Sequence, residues 1–244
     1  MNSNEEFRSK FYEQYFSRQA ARSGSQDMKA KITADHLKYV HEIMPHLPAE
    51  RNAVITELGC GYGSLLLFLH DRGYQPKGLD VSDEQVDKAR ELGVDAQVAD
   101  LKEWSTQDAQ DQDVVIAVDL IEHFDKAELF QLLTQIFNRL KPGGKIILRT
   151  PNMDAIRPTE FAFGDYTHGA LLNPSSATQL LLASGFNAVS ILPSCVKVGG
   201  WKDLPRSILW SLLKIHTKIE LFASGRSSRN AILTPNLIIV ATRS

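Results

Sequence analysis

The chain has 244 residues, 43% of them hydrophobic and 23% charged, with a formal net charge of −2. That length supports one large α/β domain with a full core, and the composition excludes global disorder. The near-neutral charge offers no electrostatic footprint for nucleic acid, and only two cysteines, Cys60 and Cys195, exclude a disulfide framework and make a reducing cytoplasm the expected compartment.

In chain order, "EEFRSKFYEQYFSRQA" places Phe7, Phe11 and Tyr15 at four-residue steps, which predicts a helix. It has no apolar signal core. "AKITADHLKYVHEIMPHL" predicts a second helix through Ile32, Leu37, Val40 and Met44, ending near Pro45 and Pro48. From residue 50 strands and helices alternate. "AVITEL" reads as a buried strand, "SLLLFLHDRG" as a helix closed by Gly73, and "PKGLD" as a short strand ending at Asp80. "SDEQVDKAREL" is a helix with Ser82 as its cap and acids in its first turn. "VDAQVAD" and "DVVIAV" are strands, "KAELFQLLTQIFNRL" is an amphipathic helix, and "KIILRT" is a strand after the turn "KPGG". "NPSSATQLLLASGF" is a capped helix, and "NAVSILP" and "NLIIVATR" are the last two strands. No run of about twenty apolar residues is long enough to span a bilayer.

Such alternation predicts a mostly parallel sheet covered on both faces, with ligands at the carboxyl ends of its strands. Two long segments interrupt it, 151–173 and 194–234. Connections of that length in a compact domain are usually functional, and both are read as parts of a substrate cap. The expected organisation is an N-terminal helical cap over 1–49 and a main domain over 50–244 carrying the two insertions.

The stretch "ELGCGYG", Glu57 to Gly63, follows the first strand. A dinucleotide fingerprint needs G-x-G-x-x-G, but Ser64 stands at the sixth position and Gly63 arrives one residue early. A phosphate-cradling P-loop needs a lysine that is absent. Glu57 is also a poor neighbour for a pyrophosphate. The arrangement resembles the first motif of class I S-adenosylmethionine-dependent methyltransferases, and residues further along match in order. Asp80 in "KGLDVS" resembles the acid that accepts both ribose hydroxyls, two acceptors facing two donors. Asp100 and Leu101 in "VADLKEW" resemble the adenine clamp. "DVVIAVDLIEHF" and "LKPGGKIILRTPN" match the family's fourth and fifth strands. The resemblance covers about residues 50–155. It implies a Rossmann-like, doubly wound, seven-stranded sheet and S-adenosylmethionine bound by Glu57, Gly59, Gly61, Gly63, Asp80, Asp100 and Leu101, with Asp119 bordering the methionine end.

Methyl transfer needs alignment, exclusion of water and, for an alcohol, a base. The candidate bases are His123 in "LIEHF" and His168 in "GDYTHGALLNP", with Asp165 placed to orient the His168 imidazole. Each has a structural alternative: His123 as a helix cap, and Asp165 and His168 as a loop-stabilising network. Tyr12, Tyr62 and Tyr166 are the candidate substrate contacts, and Cys60 is read as a buried filler. No group of His and carboxylates has metal-ligand spacing in the sequence, so no metal is expected. "GDYTHGALLNPSSATQLLLASGF" resembles a loop and helix of bacterial methyltransferases associated with surface polysaccharide and glycolipid synthesis. That resemblance implies O-methylation of a sugar hydroxyl, on a nucleotide-sugar, a glycan or a lipid-linked saccharide. A phenol, quinone-like or secondary-metabolite acceptor is the second reading. A non-catalytic S-adenosylmethionine-binding partner protein is the third. The apolar stretch 206–222, with Arg206, Lys214 and Lys218, reads either as a helix at the inner membrane surface or as a cap or homodimer helix.

Overall fold

The computed structural model describes residues 27–106, 111–195, 204–227 and 230–244. Its strands are β1 (Ile55–Leu58), β2 (Lys77–Asp80), β3 (Asp95–Val98), β4 (Gln112–Val118), β5 (Leu140–Pro151), β6 (Ala188–Pro193) and β7 (Asn236–Thr242). They form one seven-stranded sheet in the order β3-β2-β1-β4-β5-β7-β6. β7 runs antiparallel to both its neighbours, and every other pairing is parallel. The helices are α1 (Met28–Glu42), α2 (Ser64–His70), α3 (Asp83–Glu91), α4 (Leu101–Ser105), α5 (Lys126–Arg139), α6 (Thr159–Phe163), α7 (Pro174–Ala183) and α8 (Leu204–Ala223). The predicted helix around Phe7 and Tyr15, with Tyr12, lies outside the described residues.

The unbroken apolar run of β4 follows from burial on both faces. Val115 and Ala117 join a core with Leu129, Leu133 and Ile136 of α5. Val114 and Ile116 face the opposite core, with Tyr39 of α1 and Phe68 of α2. Tyr39 and Phe68 meet edge to face at 5.6 Å, which locks α1 onto α2.

Side-chain caps close the helix N-termini. Asp27 accepts from Lys29 N and Ala30 N at the start of α1. Asp125 and Glu128 close a reciprocal capping box on α5, and Asn173 and Ser176 do the same on α7. The 151–173 insertion contains α6, which the sequence pattern did not show. The 194–234 insertion contains α8, but none of its described residues is buried. Its apolar side chains, among them Ile208, Leu212, Ile219 and Phe222, are exposed. Among the described residues, no helix is long and apolar enough to cross a membrane.

Candidate active site

β1 delivers the loop 59–63 to the carboxyl edge of the sheet. Gly59 has a φ of +68°, and a Cβ there would lie 2.8 Å from Leu120 Cδ1. Gly63 has a φ of +80°, and its Cβ would lie 2.8 Å from Ala89 Cβ. Conformation and space both demand glycine. The loop curls toward β2, with Gly59 N and Cys60 N donating to Leu79 O at 2.8 and 3.1 Å. Gly61 N donates to Asp80 Oδ2 and Ser82 N to Asp80 Oδ1, each at 2.9 Å. Burial pushes the Asp80 carboxyl up, against the pull of the backbone N–H groups of Ser82, Gly61 and Val81.

Glu57 lies beneath this loop, 3% exposed, and its Oε2 has no hydrogen-bond partner. Burial first, and the charge of Asp80 second, hold its carboxyl well above the usual range. A buried acceptor left open calls for a donor from elsewhere. Cys60 is buried, and burial raises its thiol above the ordinary value, so it is a filler rather than a nucleophile. Ala99 N donates to Asp80 O at 3.0 Å, which carries the next residue, Asp100, to the same edge. Asp100 Oδ1 caps α4 by accepting from Lys102 N at 2.8 Å, and the neighbouring Leu101 is buried.

Asp119 follows β4 in a left-handed conformation, φ +51°, unusual for a residue other than glycine. Its N–H donates to Arg149 O at 2.9 Å, and Arg149 Nη1 donates to its Oδ2. Arg149 Nε also lies 3.3 Å from Glu42 Oε2. Burial works against the Arg149 charge, and Asp119 and Glu42 more than offset it. Leu120, next in the chain, packs against the glycine loop at Gly59.

A second group forms where this segment meets the 151–173 insertion. Gly169 N and Ala170 N donate to Glu122 O at 2.7 and 3.1 Å. Candidate ligand atoms of Glu122, His123 and His168 all lie within 4.8 Å of one another. The two imidazoles stand edge to face at 4.9 Å. His168 Nδ1 lies 2.8 Å from Phe161 O, a carbonyl that can only accept, so Nδ1 carries the proton. Thr167 Oγ1 donates to Asp165 Oδ1 at 2.7 Å, so it accepts from His123 Nδ1, also at 2.7 Å. The partners thus assign the Nε2 lone pair on both rings. This corrects the expected pairing: Asp165 orients His123 through Thr167, while His168 is oriented by the backbone of α6. Burial raises the Asp165 carboxyl, but the two Thr167 donors, then His123 and His168, outweigh it and hold it low. Burial and the nearby Asp119 push the Glu122 carboxyl up to about 8.

Of the candidate substrate contacts, Tyr62 donates to Asp35 Oδ2 and lies under Lys31 Nζ at 4.4 Å, which ties it to α1. Tyr166 is 81% exposed on its loop. The site residues that the sequence reading missed are Glu122, Arg149 and Glu42. Arg149 could have been found as the one charge inside "IILRT", and Glu122 as the acid directly before His123 in "LIEHF".

The methyltransferase-domain family matches residues 28–191, about two thirds of the chain. The chain belongs to that family. The Ubiquinone biosynthesis O-methyltransferase of Coxiella burnetii is 27% identical over 154 residues, 56% of this chain and 64% of that protein. The Trans-aconitate 2-methyltransferase of Mycolicibacterium gilvum is 33% identical over 145 residues, 56% of this chain and 53% of that protein. The chain therefore spans between half and two thirds of these relatives' length. A SAM-dependent methyltransferase from Archaeoglobus fulgidus superposes with a TM-score of 0.68 at 18% identity, covering 94% of this chain and 99% of that one, which shows the shared fold. The chain thus carries a methyltransferase domain built on a Rossmann-like sheet. The cofactor fits what the loop offers. The orphaned Glu57 oxygen suits a donor, the glycine backbone admits a close approach, and the Asp80 carboxylate offers two acceptors to a diol.

Proposed function

We propose that this methyltransferase transfers a methyl group to a hydroxyl oxygen of a small molecule. The observation that carries the reading is the pair of imidazoles of His123 and His168, edge to face at 4.9 Å and each held at Nδ1 by a partner. The cofactor supplies a methyl group on a sulfonium, already activated toward attack. What remains for the protein is alignment, exclusion of water and removal of the hydroxyl proton. Gly59, Gly61, Gly63, Glu57, Asp80, Asp100 and Leu101 hold the cofactor. Arg149 fixes Asp119 at its methionine end. His168 and His123 face the acceptor hydroxyl, and Asp165 positions His123.

A saccharide hydroxyl is the acceptor that the resemblance of "GDYTHGALLNP" supports, and the exposed apolar face of α8 adds support for a lipid-linked form. A phenolic hydroxyl is the second reading, supported by the name of the Coxiella relative. Both require the same proton removal. Replacing His168 or His123 with Asn is expected to lower turnover by ~10²–10⁴-fold with cofactor affinity unchanged. Turnover unaffected by either substitution contradicts the reading.

A further inference from the structure

The group Glu122, His123 and His168 has a property that proton removal alone does not need. It is a carboxylate and two imidazoles drawn from two separate segments, with candidate ligand atoms within 4.8 Å of one another. Both imidazoles are oriented from behind. His168 donates from Nδ1 to the Phe161 carbonyl at 2.8 Å, and His123 donates from Nδ1 to Thr167, which donates on to Asp165. A ring nitrogen donating outward to a carbonyl or to a carboxylate relay is the usual support of a metal-binding histidine, because it fixes the tautomer and turns the other lone pair to the metal. Glu122 is steadied as well, by the Thr150 hydroxyl on Oε2 at 3.2 Å and by the two backbone N–H groups on its carbonyl. Two histidines and a glutamate form a three-ligand set that leaves coordination positions for a substrate oxygen. An acid–base pair needs only one such imidazole.

We propose that Glu122, His123 and His168 bind one divalent transition-metal cation, of the zinc, manganese or cobalt kind, through the carboxylate and the two Nε2 atoms, and that this cation holds the acceptor oxygen. Its catalytic part rests on the hydroxyl reading above; the binding does not. The histidines then act as ligands, and the cation lowers the proton affinity of the bound hydroxyl. The hydroxyl proton passes to water. The oxygen–carbon bond forms as the carbon–sulfur bond breaks, and the bonding pair leaves with sulfur. Thr167 and Asp165 are positioning residues that keep His123 in the binding tautomer.

The test is titration of chelator-treated full-length protein with Co²⁺, followed by calorimetry and by visible absorption. The expected result is one equivalent bound, with affinity falling at least tenfold in E122Q and in H168N and about 10–100-fold in D165N. Cofactor affinity and thermal unfolding serve as the folding control for each variant. H216A, on the exposed α8, should bind like the parent. No saturable binding, or equal binding in the parent, E122Q and H168N, overturns the proposal. Methyl transfer to a hydroxyl at full rate in the chelated protein overturns the catalytic part. Transfer to nitrogen with one Co²⁺ still bound would instead refute the acceptor reading and leave the site in place.

Discussion

Asp80 and Glu57 are two carboxylates a few residues from one glycine loop, and their surroundings give them different tasks. Asp80 is held by Gly61 N and Ser82 N, so its orientation is set before any cofactor arrives. Replacing Asp80 with Asn removes a charged acceptor. Hydrogen bonds to charged groups contribute ~1.5–3 kcal/mol, so S-adenosylmethionine affinity should fall about 10–100-fold, as calorimetry would show. Glu57 carries an unmet acceptor, and its carboxyl is held up chiefly by burial. The folded protein therefore binds a proton there that the unfolded chain releases above its ordinary value of 4.5. Stability is lost as pH rises from that value through the raised folded one, since the unfolded state then binds fewer protons. E57Q should flatten this fall, and melting temperatures of the cofactor-free protein from pH 5 to pH 8 check it. A steeper fall in E57Q would contradict the assignment.

At the scale of elements, the site depends on how β1, β4 and the insertion after β5 meet. Gly63 is the N-cap of α2, in left-handed conformation against Ala89 and Val94 of the neighbouring α3 region. G63A must accept both the conformation and a contact under 3 Å. A strained left-handed residue costs about 1–3 kcal/mol, so the variant should melt lower and bind the cofactor weakly. An unchanged melting temperature would mean that the loop can shift. α8 is the opposite case. None of its described residues is buried, so I208E and I219E should each change unfolding free energy by no more than about 0.5 kcal/mol. A larger loss would show that the helix packs against the body after all.

Across the whole molecule, the sheet was readable because both of its faces are buried. The β4 run "DVVIAV" could be nothing but a central strand, and "SDEQVDKAREL" carried its own cap. The tight glycine loop after β1 was legible too, because glycines at left-handed positions are a local requirement. The second group was not readable in the same way. His123 and His168 were singled out separately, but 44 residues separate His123 from its partner Thr167, and only the fold brings them together. Asp165 was assigned to the wrong imidazole because adjacency in sequence suggested His168, whereas Thr167 turns the contact toward His123. For α8 the limit is related: apolar spacing marks a face but does not say what covers it.

The measurement closest to the central claim is methyl transfer from carbon-13-methyl S-adenosylmethionine into the small-molecule fraction of a cell extract, with the product read by NMR. The account predicts a new methyl signal on oxygen, weakened in D80N and reduced at least a hundredfold in H168N. A methyl signal on nitrogen or carbon, or label found in protein or nucleic acid instead, would contradict it.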